Sequence, residues 1–285
     1  MRILIFGDGY LGNHINRFFK WKNCAILDGR RIECYDDIEK AIQQFSPTII
    51  INCIGFTGHT NVDDCEDDID KTLYANTMIP IMMAEACVRS RVKFIHISSG
   101  CIYHFDLDGE VPIVETIMPD FYDLFYSRSK IYAENMLEGL MERENILSLR
   151  IRIPLDDIPH PRNILTKLIS FGKVINVPNS VTYIPHFLYA LEHLIKINAT
   201  GTYNVVNGGE LRYPDLLDCY SRYSDGFEYE VIPLETLPTP RTNLTMSTEK
   251  LSSTGFFVHD INTILNSCTE NYAQNERALK GETDD

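Results

Sequence analysis

Short β-branched runs alternate with longer amphipathic stretches through the first half of the chain, and few folds accommodate that alternation. The runs 2–6, 25–27, 48–53, 92–98 and 146–151 read as strands, and 10–20, 36–45, 73–90 and 121–142 read as helices. Strand–helix–strand order implies a parallel sheet with helices on both faces, wound right-handed, so the class is α/β. In such sheets ligands bind beyond the carboxyl ends of the strands, and the loops after Phe6, Cys53 and Ser98 should converge there. After Ile153 the pattern breaks into segments punctuated by Pro154, Pro159, Pro161, Pro178, Pro185, Pro233, Pro238 and Pro240. The expected division is a nucleotide-binding domain over 1–153, completed by part of 174–206, and a smaller C-terminal substrate-binding lobe over 154–285. The polar, acidic stretch 271–285 has little to bury and is expected to fray.

Charge and cysteine usage narrow the partners. A formal net charge of -14 leaves no basic stripe for a phosphate backbone, which argues against nucleic acid. Any anionic ligand must be held by a few placed cations and by backbone amides. No apolar run has the length of a bilayer crossing, and residues 1–6 read as a strand rather than a cleavable leader. The eight cysteines are scattered, without Cys-x-x-Cys pairs or a histidine cluster at zinc spacing. A reduced cytoplasmic setting and no bound metal are expected. A homodimer is an open alternative.

Gly7-Asp-Gly-Tyr-Leu-Gly12 follows the first strand and opens the first helix, the context that a dinucleotide fingerprint requires. The architecture expected is therefore the doubly wound Rossmann sheet. At Leu27-Asp-Gly-Arg-Arg31 the acid of an NAD-type site is followed at once by two arginines. Guanidinium meets a 2′-phosphate well, so Arg30 and Arg31 favour NADP(H), although either one alone could merely cover a helix surface. Tyr126-Ser-Arg-Ser-Lys130 puts phenol and ammonium on one helix face, where the cation lowers the phenol's pKa toward general acid/base work. With Ser99 at the end of a buried strand, these residues can polarise a carbonyl. Alternate positions on an extended loop would aim Cys101 the same way, and Lys167 is a candidate cation beside the thiol. By spacing alone Lys167 reads more readily as a solvated helix residue. His59, His104 and His186 lie near loops without pairing, and the acids of 61–66 suit a helix start.

Taken together, Gly55–Glu66, Ser99–Tyr103, Phe125–Lys130, Leu149–Pro154, Pro161–Lys167, Val177–Ser180 and Pro240–Asn243 carry a resemblance spanning nearly the whole chain. The chain resembles the bifunctional UDP-4-keto-6-deoxy-glucose 3,5-epimerase/4-keto-reductases, and more distantly dTDP-4-dehydrorhamnose reductase and GDP-fucose synthase. That resemblance implies a reductase triad of Ser99, Tyr126 and Lys130 and an epimerisation acid/base pair of Cys101 and Lys167. It implies NADPH contacts from Gly7, Gly9, Tyr10, Leu11, Gly12, Arg30, Arg31, Cys53, Gly55, Tyr126 and Lys130. It implies contacts to a nucleotide-diphosphate sugar, UDP favoured, from Thr57, Asn163, Val177, Asn179 and Arg241. The glycine loop is one residue shorter than in the plant members, and the segment 155–160 departs from the family. A plain 4-keto-reductase, a single-centre epimerase on a 2-acetamido sugar, and a non-catalytic NADP-binding regulator remain alternatives. Gly100-Cys101 replaces the Asp-Glu pair of the 4,6-dehydratases, which argues against dehydration.

Overall fold

The computed structural model describes residues 1–104, 111–141, 145–224, 226–237, 239 and 241–281. Its element order begins β1 (Ile3–Phe6), α1 (Tyr10–Lys20), β2 (Ala25–Asp28), α2 (Tyr35–Phe45) and β3 (Ile49–Asn52). A short 3-10 turn (Val62–Cys65) leads into α3 (Ile69–Leu73), a π-helical turn (Tyr74–Met78) and α4 (Ile79–Ser90). Then come β4 (Lys93–Ser99), α5 (Phe125–Met141), β5 (Ile146–Ile151), β6 (Pro154–Leu155), α6 (Ile164–Phe171) and β7 (Lys173–Ile175). The remainder is β8 (Thr182–Tyr183), α7 (Ile184–Lys196), β9 (Gly201–Asn204), α8 (Tyr213–Ser221), β10 (Glu230–Ile232), α9 (Glu249–Ser253) and α10 (Ile261–Lys280).

Among the described residues, six strands form one sheet in the order β2-β1-β3-β4-β5-β9. β1 pairs parallel with both β2 and β3, and β3 with β4. Every residue of β1, β3, β4 and β5 is buried, as expected of strands covered on both faces. The strand order reverses at β1, so a crevice opens beyond the ends of β1 and β3, where Phe6 registers with Asn52. Leu4, Phe6, Ile50 and Phe94 pack with Ile38, Ala41, Met83 and Ala84 into one apolar cluster of this layer.

The chain divides into two compact units, Met1–Tyr103 with Met118–Arg150 and Leu191–Tyr203, and His104–Ile117 with Ile151–Ala190 and Asn204–Asp285. The first contains the sheet and its helices. In the second, β6 pairs with β8 and β7 with β10, both parallel, while α6, α8 and α10 share a core of Leu165, Leu168, Leu216, Leu217, Tyr220 and Leu265. The expected fraying from residue 271 is corrected: α10 runs to Lys280, with Tyr272 and Ala273 buried. Ile261, Leu265, Cys268, Tyr272 and Ala273 recur at helical spacing, so this polar segment does own an apolar face. Asp260 caps its start and Gly281, at φ 77°, ends it. Residues 282–285 of that expected tail, and Pro240, lie outside the described residues. No helix among the described residues is long and apolar enough to cross a membrane.

Candidate active site

Three glycines shape the loop after β1. Gly7 adopts φ 101°, and a Cβ there would stand 2.8 Å from the Cys53 carbonyl carbon. A Cβ on Gly12 would fall 1.7 Å from the Gly7 oxygen, so the helix can lie this close only without one. A Cβ on Gly9, by contrast, would meet nothing within 4 Å. The protein leaves that space open. Gly9 is also the N-cap of α1, without a side-chain cap and with no acid in the first turn, which suits an anion at the helix N-terminus.

Beside this loop lies a cavity of about 850 Å³. Of the expected cofactor contacts, Gly7, Gly9, Arg30, Arg31, Cys53 and Gly55 line it, together with Asp8, Lys71 and Tyr74. Tyr10, Leu11 and Gly12 belong to the first turn of α1 and are not part of the lining. The two arginines are unequal. Arg30 donates Nε to both Asp28 oxygens at 2.9 Å and Nη2 to Oδ2 at 2.5 Å, and its guanidinium lies 5.8 Å from the Phe45 ring centroid. Burial pushes the Asp28 carboxyl up, but the hydrogen bonds from Arg30 outweigh it and hold the group below the usual carboxylate range. Arg31 is 87% exposed, with Glu33 at 3.8 Å. This set suits an adenine dinucleotide bearing a 2′-phosphate: open space over a glycine turn, helix amides and guanidinium.

Ser99 ends β4, and the chain then turns rather than extending: the Cys101 amide donates to Ser99 Oγ at 3.1 Å. The expected extended loop is thus corrected, because a hydroxyl that can close a tight turn competes with continued strand. The turn is tied down from α5, where Ser127 Oγ donates to the Cys101 carbonyl at 2.6 Å. Tyr126 is 8% exposed and packs with Phe56 and Cys65, against which Cys101 also lies. Lys130, one turn on, is 4% exposed, and its Nζ stands 3.5 Å from where a Gly55 Cβ would be. Burial pulls its ammonium down to about 8, with Glu134 acting in the opposite sense. Lys130 therefore stands against the loop after β3, whose Cys53 and Gly55 line the cavity.

Asn76, which no sequence pattern singled out, joins them. Its amide accepts from the Phe56 amide at 2.7 Å and donates to the Phe56 carbonyl at 2.9 Å and to Ser129 Oγ at 3.0 Å. A π-helical turn presents it, an irregularity that often accompanies functional sites. Thr57, half-buried, follows the loop that Asn76 holds.

In the second unit, Lys167 is half-buried near the start of α6 rather than solvated. Burial first, then the charges of Arg162 and Arg241, hold its ammonium below the usual lysine range. Asn163 and Asn179, expected as substrate contacts, are both 0% exposed and hydrogen-bonded within the protein. Asn163 caps α6, accepting from the Leu165 amide at 3.1 Å and donating to the Asp156 and Ile158 carbonyls. Asn179 accepts from Arg152 Nη2 at 2.7 Å and donates to Asn243 Oδ1 at 3.1 Å. These bonds fix the loops that carry half-buried Val177 and Arg241. Next to Arg152, Ile153 sits at φ 42° before Pro154, a strained conformation for a β-branched residue.

Residues 1–170 match the model of the RmlD substrate binding domain. A trifunctional UDP-glucose 4,6-dehydratase/UDP-4-keto-6-deoxy-D-glucose 3,5-epimerase/UDP-4-keto-L-rhamnose-reductase of Arabidopsis thaliana is 30% identical over 263 residues, 88% of this chain and 39% of that protein. The chain thus spans well under half of that relative. A bifunctional dTDP-4-dehydrorhamnose 3,5-epimerase/dTDP-4-dehydrorhamnose reductase of the same plant is 29% identical over 88% of this chain and 86% of its own. The crystal structure of the L780 UDP-rhamnose synthase from Acanthamoeba polyphaga mimivirus superposes with a TM-score of 0.87 at 23% identity, covering 95% of this chain and 99% of that one. At that identity the likeness is one of fold.

Proposed function

The chain belongs to the family of the RmlD substrate binding domain, and from that membership we propose that it is an NADPH-dependent reductase of a nucleotide-diphosphate 4-keto-6-deoxy-hexose. We propose further that it exchanges the hydrogens at C3 and C5 before reducing C4, giving an L-rhamnose-type nucleotide sugar. The observation that carries the reading is the buried Lys130 ammonium, one helical turn beyond Tyr126, whose Nζ stands 3.5 Å from where a Cβ on the cavity-lining Gly55 would be.

NADPH, when bound, supplies a hydride. The chain's own residues manage protons and charge. The Tyr126 phenol donates its proton to the sugar's O4 as that oxygen becomes an alkoxide, and the Ser99 hydroxyl donates a hydrogen bond to the same atom. The Lys130 ammonium favours the phenolate that remains, and so lowers the barrier to giving the proton up. The apolar contacts of Phe56 and Cys65 around Tyr126 keep water from competing. For exchange at C3 and C5, the 4-keto group acidifies both positions, and the candidate acid and base are the Cys101 thiol and the Lys167 amine. Lys167 suits the work because burial and two guanidinium groups already disfavour its protonated form. Arg241 is the candidate clamp for the diphosphate, with UDP the favoured nucleotide and dTDP the alternative that one relative's name supplies.

The test uses deuterated water. Incubated with NADPH and a UDP- or dTDP-4-keto-6-deoxy-D-glucose, the protein should consume NADPH and yield an L-configured product deuterated at C3 and C5, read by mass spectrometry. NADPH consumption without solvent deuterium would leave a plain 4-keto-reductase; no consumption with either sugar would refute the reading.

A further inference from the structure

Four residues beyond Lys130, on the same face of α5, lies a carboxylate with no part in the proton transfer to the sugar. Glu134 is 6% exposed and is held from two strands. Arg150 of β5 donates Nε and Nη2 to Oε2 at 3.0 and 2.6 Å, and Ser98 of β4, the neighbour of Ser99, donates its hydroxyl to Oε1 at 2.5 Å. A bidentate guanidinium and a hydroxyl leave this carboxylate one orientation.

The other titratable groups acting on Lys130 come from three elements: Cys53 past the end of β3, Cys65 from the 3-10 turn, and His96 on β4. Burial pushes the Cys53 thiol up to about 12 against the pull of Lys130, and it raises Cys65 as well. Burial, then the charge of Lys130, holds His96 well below the usual histidine range. All three are uncharged near neutral pH. Among the described residues acting on Lys130, Glu134 brings the fixed opposite charge, and its ion pair with Arg150 tempers it.

Resting on the reductase reading above, we propose that Glu134 is a positioning residue which, clamped by Arg150 and Ser98, keeps Lys130 an ammonium and so tunes Tyr126. Burial works against that charge, and the loss of Glu134 would shift the lysine toward its neutral form. The same clamp ties α5 to β4 at the residue before Ser99. Charge and geometry of the triad are thus set by one side chain.

The two partners have opposite signs, which a merely structural role would not produce. In full-length protein labelled with ¹⁵N-lysine, the Nζ titration of Lys130, assigned by Lys130→Arg, should move down by about one unit or more in Glu134→Gln. It should move up in Arg150→Met, which leaves the carboxylate untempered. The basic limb of the kcat/KM profile should follow in each case. Should Glu134→Gln fail to fold, Glu134→Gln combined with Arg150→Met leaves no unpaired guanidinium and should still titrate below wild type, because the charge that raises Lys130 is lost. A Lys130 titration that stays put in the charge-removed variants, or that moves the same way in both single variants, overturns the proposal. Shifts of the expected signs in a protein that turns over no nucleotide keto-sugar would uphold the clamp on Lys130 and remove the reductase reading instead.

Discussion

Asp28 and Arg30 show how a single pair can redirect cofactor choice. A carboxylate at the end of the second strand is what a ribose 2′-hydroxyl prefers, yet here both of its oxygens are occupied by Arg30. The acid is spent on its neighbour, and the other guanidinium edge, whose Nη1 donates to Gln44 Oε1 at a long 3.5 Å, can favour a phosphate. Arg31, 87% exposed, holds no such position. Arg30→Ala should therefore weaken NADP⁺ binding by roughly tenfold to a hundredfold, the worth of a charge-assisted contact, and improve NAD⁺ by uncovering Asp28. Arg31→Ala should cost much less. Calorimetric titration of both cofactors checks this, and equal effects of the two substitutions would contradict it. Tyr126→Phe belongs to the same scale: turnover should fall by about 10²–10⁴-fold, as for a lost general acid, while NADPH still binds. A variant with near wild-type turnover would place the proton source elsewhere.

α10 was legible only in hindsight. Its residues are mostly polar, which masks Ile261, Leu265, Cys268, Tyr272 and Ala273 on one face. Leu265 is 4% exposed within the core shared with α6 and α8, so Leu265→Ala should destabilise the protein by about 2–5 kcal/mol, measured by urea denaturation. A loss below ~1 kcal/mol would mean that α10 adds little to this core. The strands and helices of the first unit were easier because each is signalled locally: a run such as Ile49–Asn52 is apolar throughout, and Gly7 to Gly12 must lie between strand and helix. Residues 73–90 read as one helix, and only the structure shows the π-helical turn that turns Asn76 inward. Paired strands of two or three residues, β6 with β8 and β7 with β10, have no local pattern at all. In the site, Ser99, Tyr126 and Lys130 could be read from type and spacing. Glu134 and Arg150 could not, because two charged residues sixteen apart in sequence resemble ordinary surface residues until a helix and a strand bury them together. For Asn163 and Asn179 the sequence did not show the internal bonds, since an asparagine in a motif can cap a helix or bridge loops as well as touch a ligand.

At the scale of the molecule, charge decides how stability responds to salt. Forty acidic residues face 26 lysines and arginines, for a formal net charge of -14. Exposed pairs such as Arg89–Glu85 at 2.7 Å and Lys173–Glu230 at 3.0 Å return little, about 0–1 kcal/mol each, and salt screens them. The excess of carboxylates acts throughout the chain, and its mutual repulsion favours the expanded state. Two opposed effects of salt thus compete, the loss of a few weak pairs and the relief of a large net repulsion. Relief should win. Raising monovalent salt from about 10 to 200 mM shortens the Debye length from about 30 Å to below 10 Å, the range over which separated carboxylates sense one another. At pH 7 the melting temperature should therefore rise with salt. Near pH 5, close to the sequence pI of about 5.0, the net charge vanishes and the rise should disappear or reverse as only the pairs are left to screen. Scanning calorimetry at the two pH values checks both signs. A melting temperature that falls with salt at pH 7 would mean that the ion pairs outweigh the net charge.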